Sequence, residues 1–187
     1  MLDLVGSVIL VGSLILSIMG INVNISTESA KAATEFHIQT EVIQLARIME
    51  FDFAKIGYDV AANKIVTADT SRLKFKTNLL NVAGSVDSVE YILGDYVANS
   101  TNPRDKVLTR YENTAGVLIN YSITRFKLSY YNVNNQLLAT PVAGAALDSI
   151  KSIRIFMRVE SPEPLGDDAA VQYAHGYYEK LIYPRNL

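Results

Sequence analysis

The sequence predicts an α+β fold: a long N-terminal helix with an apolar stalk, packed on an antiparallel β-sheet head. Three observations lead there. From Leu4 to Thr27 no residue is charged, and Leu, Ile, Val and Met dominate as far as Val23. No proline precedes Pro103, so nothing forces a helix to end before Gly57, a natural C-terminal stop. Beyond Tyr58 the hydrophobic period shifts from 3.6 toward two.

The first element is the apolar run. A bilayer core about 30 Å thick needs roughly 20 such residues in a helix, so the run is long enough to span. A secretory signal would need a basic start and a small-residue cleavage site. No Lys or Arg precedes Lys31, and no such site follows the run. A buried core helix is the other alternative, but few stay apolar on every side for this length. An uncleaved anchor should carry flanking Lys or Arg on its cytoplasmic side. Their absence points to Met1 as the first residue of a processed chain.

Small and polar residues in the run share a face. Gly6, Ser13, Ser17, Gly20 and Asn24 project onto one stripe at 100° per residue. Such a stripe lets helices approach closely where no water drives association; alternatively, Gly and Ser are simply tolerated in a membrane helix. Gly20, Asn22 and Asn24 also make this the easiest place to bend. Asp3 is the only charge near the start. In a dry bundle it would need a cationic partner, such as the α-amine of the same or a neighbouring chain; otherwise it is an interfacial aspartate favouring the helix dipole. Met1, Asp3 and the five stripe residues form the candidate assembly set.

From residue 28 to 57 the helix turns amphipathic. Ala30, Ala33, Phe36, Thr40, Ile43 and Arg47 trace one face; Val42, Leu45, Ile48, Met49, Phe53 and Ile56 thicken an apolar one. A helix from residue 2 to 56 would be on the order of 80 Å long. The chain thus divides into a stalk (1–27), an amphipathic continuation (28–57) and a β-rich head (58–187).

In the head, strands are expected at Lys64–Thr67, Arg72–Thr77, Val86–Leu93, Lys106–Tyr111, Val117–Ile119, Thr124–Tyr131 and Ile150–Val159. Alternation is clearest in Phe126/Leu128/Tyr130 and in Ile153/Ile155/Met157. One buried face implies an antiparallel sheet covered by the amphipathic half of the helix. Asn132–Asn135 reads as a hairpin turn, Ser161–Asp168 as an exposed loop, and Val171–Tyr183 as a last segment.

At this point the chain resembles the type IV pilin-like superfamily. The stretch Leu45–Tyr58 (LARIMEFDFAKIGY) is similar to the L-x-R-x-L-x-x-D-I-R-x-A-G-Y region of PilW-like minor pilins and J-class type II secretion pseudopilins. Val89–Leu93 (VEYIL) and the ending Tyr183–Leu187 look like the same group. The resemblance implies a leader cut by a prepilin peptidase before Met1 and a stay in the inner, cytoplasmic membrane before assembly. It implies polymerisation through the N-terminal helix into an extracellular filament, with copies of the same chain and with other pilins. A minor or tip subunit, a secretion pseudopilin, or a membrane-anchored binding module are the alternatives. Two features depart from the family: the usual glutamate a few residues in is replaced by apolar Val5, leaving only Asp3, and the usual proline near the end of the run is missing.

Composition narrows the chemistry. With 187 residues, a net charge of −2 and Lys and Arg scattered along the chain, no nucleic-acid partner is expected. Cysteine is absent, which removes disulfides and thiolate metal sites. His37 and His175 have no metal-ligand spacing, and neither a phosphate loop nor a G-x-S-x-G elbow occurs. Glu163, Asp167 and Asp168 make either a hard-oxygen cluster suited to calcium or, more commonly, a solvated loop. Asn24, Asn99 and Asn120 head Asn-x-Ser/Thr triplets. No enzyme, cofactor or metal site is expected.

Overall fold

The computed structural model describes residues 2–165 and 171–187, excluding the side chains of 2–4, 118, 120 and 121. Helix α1 (Leu2–Ala54) is followed by β1 (Ile65–Ala68), β2 (Arg72–Thr77), β3 (Asp87–Tyr96), β4 (Lys106–Glu112), β5 (Ala115–Tyr131), a 3-10 turn (Gly144–Ser149), β6 (Ser152–Pro164) and β7 (Tyr173–Ile182). The strands form one seven-stranded sheet in chain order, each antiparallel to the next. The architecture is the expected α+β: one helix lying across one face of an antiparallel meander.

The helix is continuous through Gly20, Asn22 and Asn24. Its 53 residues make it about 80 Å long. It ends two residues earlier than the sequence indicates, and the reason lies in the sheet. Thr77 donates its hydroxyl to the Lys55 carbonyl at 2.8 Å, and Gly57 N–H donates to the Lys76 carbonyl at 2.9 Å. Those bonds take the chain into the sheet before another helical turn can form. Gly57 sits at φ +74, the left-handed region that favours glycine, and a Cβ there would stand 2.7 Å from Lys64 Cδ and displace that side chain.

The buried residues of α1 are Ile38, Val42, Leu45, Ala46, Met49, Asp52 and Phe53, a single stripe at helical spacing that Ile56 extends just past the helix end. Their cover is the inward face of the sheet: Phe53 meets Phe75 and Tyr91 edge-on, with ring centres 6.0 and 5.5 Å apart. Ile48, placed on the apolar face by the sequence, is instead 44% exposed, because it lies on the flank of this stripe. On β7, Gly176 lets the helix come close; a Cβ there would lie 2.9 Å from Val42 Cγ2.

Two strand assignments change. The segments expected at Val117–Ile119 and Thr124–Tyr131 are one 17-residue strand, β5. Register shifts between Lys106 and Thr109 on β4, and between Ile123 and Arg125 on β5, break the period-two phase that a sequence reading follows. β5 also changes partner there: up to Ile123 it pairs with β4, and from Ile123 onward with β6. The β1–β2 turn fills the vacated side, with Leu128 N–H donating to the Thr70 carbonyl at 2.8 Å. The second change is at Ser161–Pro164, expected in a loop but forming the end of β6. Asp167 and Asp168 of that loop lie outside the described residues. The Asn132–Asn135 turn is present, with Asn132 Oδ1 accepting from Asn134 N–H and Gln136 N–H.

Candidate assembly surface

The stalk is the part of the fold that its own chain leaves uncovered. No residue of α1 from Val5 to His37 is buried, and the first to reach the core is Ile38. Large aliphatic side chains stand in the open, among them Leu10 and Leu16 at 71% exposure. The helix is long and apolar enough to cross a membrane, and none of its most apolar window is buried against the head.

The stripe residues lie together on one face, but in this single chain they meet nothing. A Cβ at Gly6 or Gly20 would have open space around it. Ser13 donates its hydroxyl to the Leu10 carbonyl at 2.8 Å, and Ser17 to the Ser13 carbonyl at 2.9 Å. Both hydroxyls are therefore satisfied within the helix and cost little in an apolar environment. Asn24, the fifth stripe residue, is likewise exposed on the helix, while Met1 and the Asp3 carboxylate, the other members of the candidate set, lie outside what is described.

The helix relates stalk and head in a simple way. Gly6, Ser13 and Ser17 each precede a buried helix residue (Val42, Met49 and Phe53) by 36 positions. That is ten turns at 3.6 residues per turn, so the small-residue face continues the face the head covers. The opposite face carries a ridge of larger side chains, Val11, Ile15, Ile18 and Ile25, prolonged past the head by Phe36, Ile43 and Phe51, all exposed.

Charged clasps fix the helix to the sheet below the stalk. Asp52, 2% exposed, accepts from Tyr91 OH at 2.6 Å, Arg110 Nε at 2.6 Å and Arg110 Nη2 at 3.3 Å. Arg110 also donates to Glu112 at 3.0 Å. Burial works to lower the Arg110 pKa, but the bond to Asp52 and its charge, with the bond to Glu112, more than offset it and keep the guanidinium charged. Burial, reinforced by the Asp52 charge, pushes the Tyr91 hydroxyl well above its ordinary value, so it stays a neutral donor. Nearer the stalk, Glu50 accepts from Tyr178 OH at 2.5 Å and Lys180 Nζ at 2.6 Å. The Lys180 bond, then the Tyr178 bond, hold its pKa below the ordinary carboxylate value.

A second buried cluster braces the far end of the sheet. Glu160, 1% exposed, accepts from Asn102 Nδ2 at 3.0 Å and pairs with Arg104 at 2.8 Å and Arg158 at 3.0 Å. It ties the β3–β4 loop to β6. Sequence reasoning missed both clusters, since their members lie far apart in the chain. A signal existed for one: Asp52 is the aspartate of the Leu45–Tyr58 motif, an acid on an otherwise apolar helical stripe. His37, solvent-exposed, faces Glu41 at 3.2 Å. Among the described residues no group of three or more His, Asp or Glu side chains could hold a metal.

No protein-family model matches the sequence, and comparison with curated proteins finds no similar sequence.

Proposed function

We propose that the chain is a structural subunit of an extracellular type IV pilus-like filament, polymerising with copies of itself and with related subunits through α1. The observation that carries this reading is the stalk: about 50 Å of uncovered helix with a small-residue face and an aliphatic ridge. Each of its Leu, Ile or Val side chains contributes about 1.5–3 kcal/mol when taken out of water. A membrane satisfies that demand before assembly, and neighbouring helices satisfy it afterwards. The test is deletion of residues 1–27 followed by electron microscopy of the native assembly. The reading expects filaments to be lost while the head stays folded; intact assembly from the truncated chain would refute it.

The likeness of Leu45–Tyr58 to minor pilins and J-class pseudopilins favours a second reading, a tip or priming subunit of the same kind of filament. Stoichiometry in purified filaments separates the two: a trace amount of this chain supports the minor role, and a dominant amount the major one.

A further inference from the structure

The connection between β2 and β3, residues 78–86 (NLLNVAGSV), carries no charge, and from Leu79 to Val86 only Asn81 and Ser85 are polar. Every residue from Leu80 to Gly84 is solvent-exposed. Leu80 is open to 75%, Val82 to 54% and Val86 to 51%. Val133, in the Asn132–Asn135 turn, is as exposed as Leu80, but it stands alone among Asn132, Asn134, Asn135 and Gln136. A single exposed aliphatic of that kind is ordinary; three on one tip mark a contact surface.

The tip is braced from below. Buried Asn78 donates Nδ2 to the Val82 carbonyl at 2.7 Å and to Asp59 Oδ2 at 2.9 Å, and accepts from Val82 N–H at 3.0 Å. Ser85 N–H donates to the same carbonyl at 3.0 Å, Leu79 N–H to Asp87 Oδ2 at 3.2 Å, and Lys55 Nζ to the Leu79 carbonyl at 2.9 Å. A loop held this way has little conformational freedom left to lose on binding. The same bonds place it. Lys55, Asp59 and the Tyr58 carbonyl, which accepts from Asn78 N–H at 3.0 Å, lie just past the end of α1. The tip therefore stands at the end of the head away from the stalk. From Val23, where the apolar run closes, to Ala54 is about 45 Å of continuous helix.

We propose that this loop inserts its aliphatic tip into a lipid surface, a second bilayer when the stalk spans one. The chemistry favours lipid over protein. A protein interface centres on aromatic or arginine anchors seated in pockets, and residues 78–86 contain neither, projecting as a tip of five consecutive exposed residues. A bilayer asks only for uncharged aliphatic area reaching about 5–10 Å into the boundary of headgroups and acyl chains. With no cation in the loop, anionic headgroups have nothing to attract, so a zwitterionic surface suffices. The proposal concerns the head alone and does not depend on how the chain assembles.

The test holds the full chain by its stalk in lipid nanodiscs and adds separate phosphatidylcholine vesicles. The chain has no tryptophan, so Leu80→Trp places a single reporter on the tip. Its emission should shift to the blue when vesicles are added, and be quenched when their acyl chains are brominated, at low and high salt alike. Val133→Trp, at a position equally exposed, should do neither. In the tryptophan-free chain, Leu80→Ser/Val82→Ser should lower flotation of the nanodiscs with the vesicles at least tenfold, since one buried aliphatic side chain is worth about that factor. Both positions are exposed, so the core is untouched. No shift at Leu80→Trp, an equal shift at Val133→Trp, or unchanged flotation of the double variant would each overturn the proposal. So would a shift that grows with nanodisc concentration alone, which would mean that a second chain covers the tip.

Discussion

Replacing Arg110 with methionine isolates the contribution of the buried ion pair that joins helix to sheet. Methionine keeps most of the aliphatic reach of arginine and removes its charge. Asp52 then loses two of its three donors and retains only the neutral Tyr91 hydroxyl, in a position 2% exposed to solvent. Removing one partner of a buried pair costs about 3–5 kcal/mol, mostly the penalty of the charge left behind. Arg110 is 16% exposed and also faces the half-open Glu112. Some water therefore reaches the site, which places the effect near the lower end, about 3 kcal/mol.

For a chain of this size about 1 kcal/mol moves Tm by roughly 2–4 °C, so Arg110→Met should lower it by on the order of 6–12 °C. The chain has 11 tyrosines and no tryptophan, and Tyr91 sits in the affected site, so near-ultraviolet circular dichroism of the full chain in detergent reports the melt directly. A companion variant, Asp52→Leu/Arg110→Met, removes both charges and should recover more than half the loss, since apolar replacement of a buried pair is often near neutral. The reasoning fails if the single variant costs less than about 1 kcal/mol, or if the double variant is no more stable than the single.

Two further outcomes follow from the helix–sheet seam. Gly176→Ala puts a methyl group 2.9 Å from Val42 Cγ2 and should cost about 1–3 kcal/mol by overpacking; adding Val42→Ala should return part of it, and strictly additive losses in denaturant melts would count against the contact. Glu50 has a folded pKa below its ordinary value of 4.5, so its contribution to stability is present above that pH and is lost as pH falls through the folded value. Being half exposed, the clasp contributes at most about 1 kcal/mol. Melts of Glu50→Gln should therefore lie below the parent at pH 7 and converge with it toward pH 3, and parallel curves over that range would contradict the role.

What the sequence makes legible depends on how locally each feature is specified. The long helix is legible because its apolar run and its i, i+4, i+7 stripe need only neighbours in the chain. β2 is legible to the residue, and β4 to its first, because alternation and turn residues bound them. β5 is not, because the bulges at Lys106–Thr109 and Ile123–Arg125 exist only in the pairing of two strands. The same reason hides the Asp52–Arg110–Tyr91 clasp and the Glu160 cluster. It hides the grouping of Arg125, Lys127 and Arg154 on one face as well: they read as isolated surface charges until β5 and β6 are laid side by side. Of the candidate assembly residues, the stripe is legible as a face, but what that face meets is a property of more than one chain.

The alignment of stalk and head constrains how copies could pack if α1 is the assembly element. The small-residue face of the stalk is continuous with the face buried beneath the sheet, so a neighbouring helix can follow it only as far as the head. The ridge face meets no such stop. Val11, Ile15, Ile18 and Ile25 run on to Phe36, Ile43 and Phe51 at the level of the head, all solvent-exposed in the single chain. Phe36, at 72%, and Phe51, at 58%, are unusual side chains to leave in water on the outside of a folded domain. Contact along the ridge can therefore extend over about 60 Å of helix, from Val11 to Phe51, whereas close backbone approach is confined to the stalk. The two faces would then do different work: the stripe sets how near two helices come, and the ridge sets how far along each other they remain in contact.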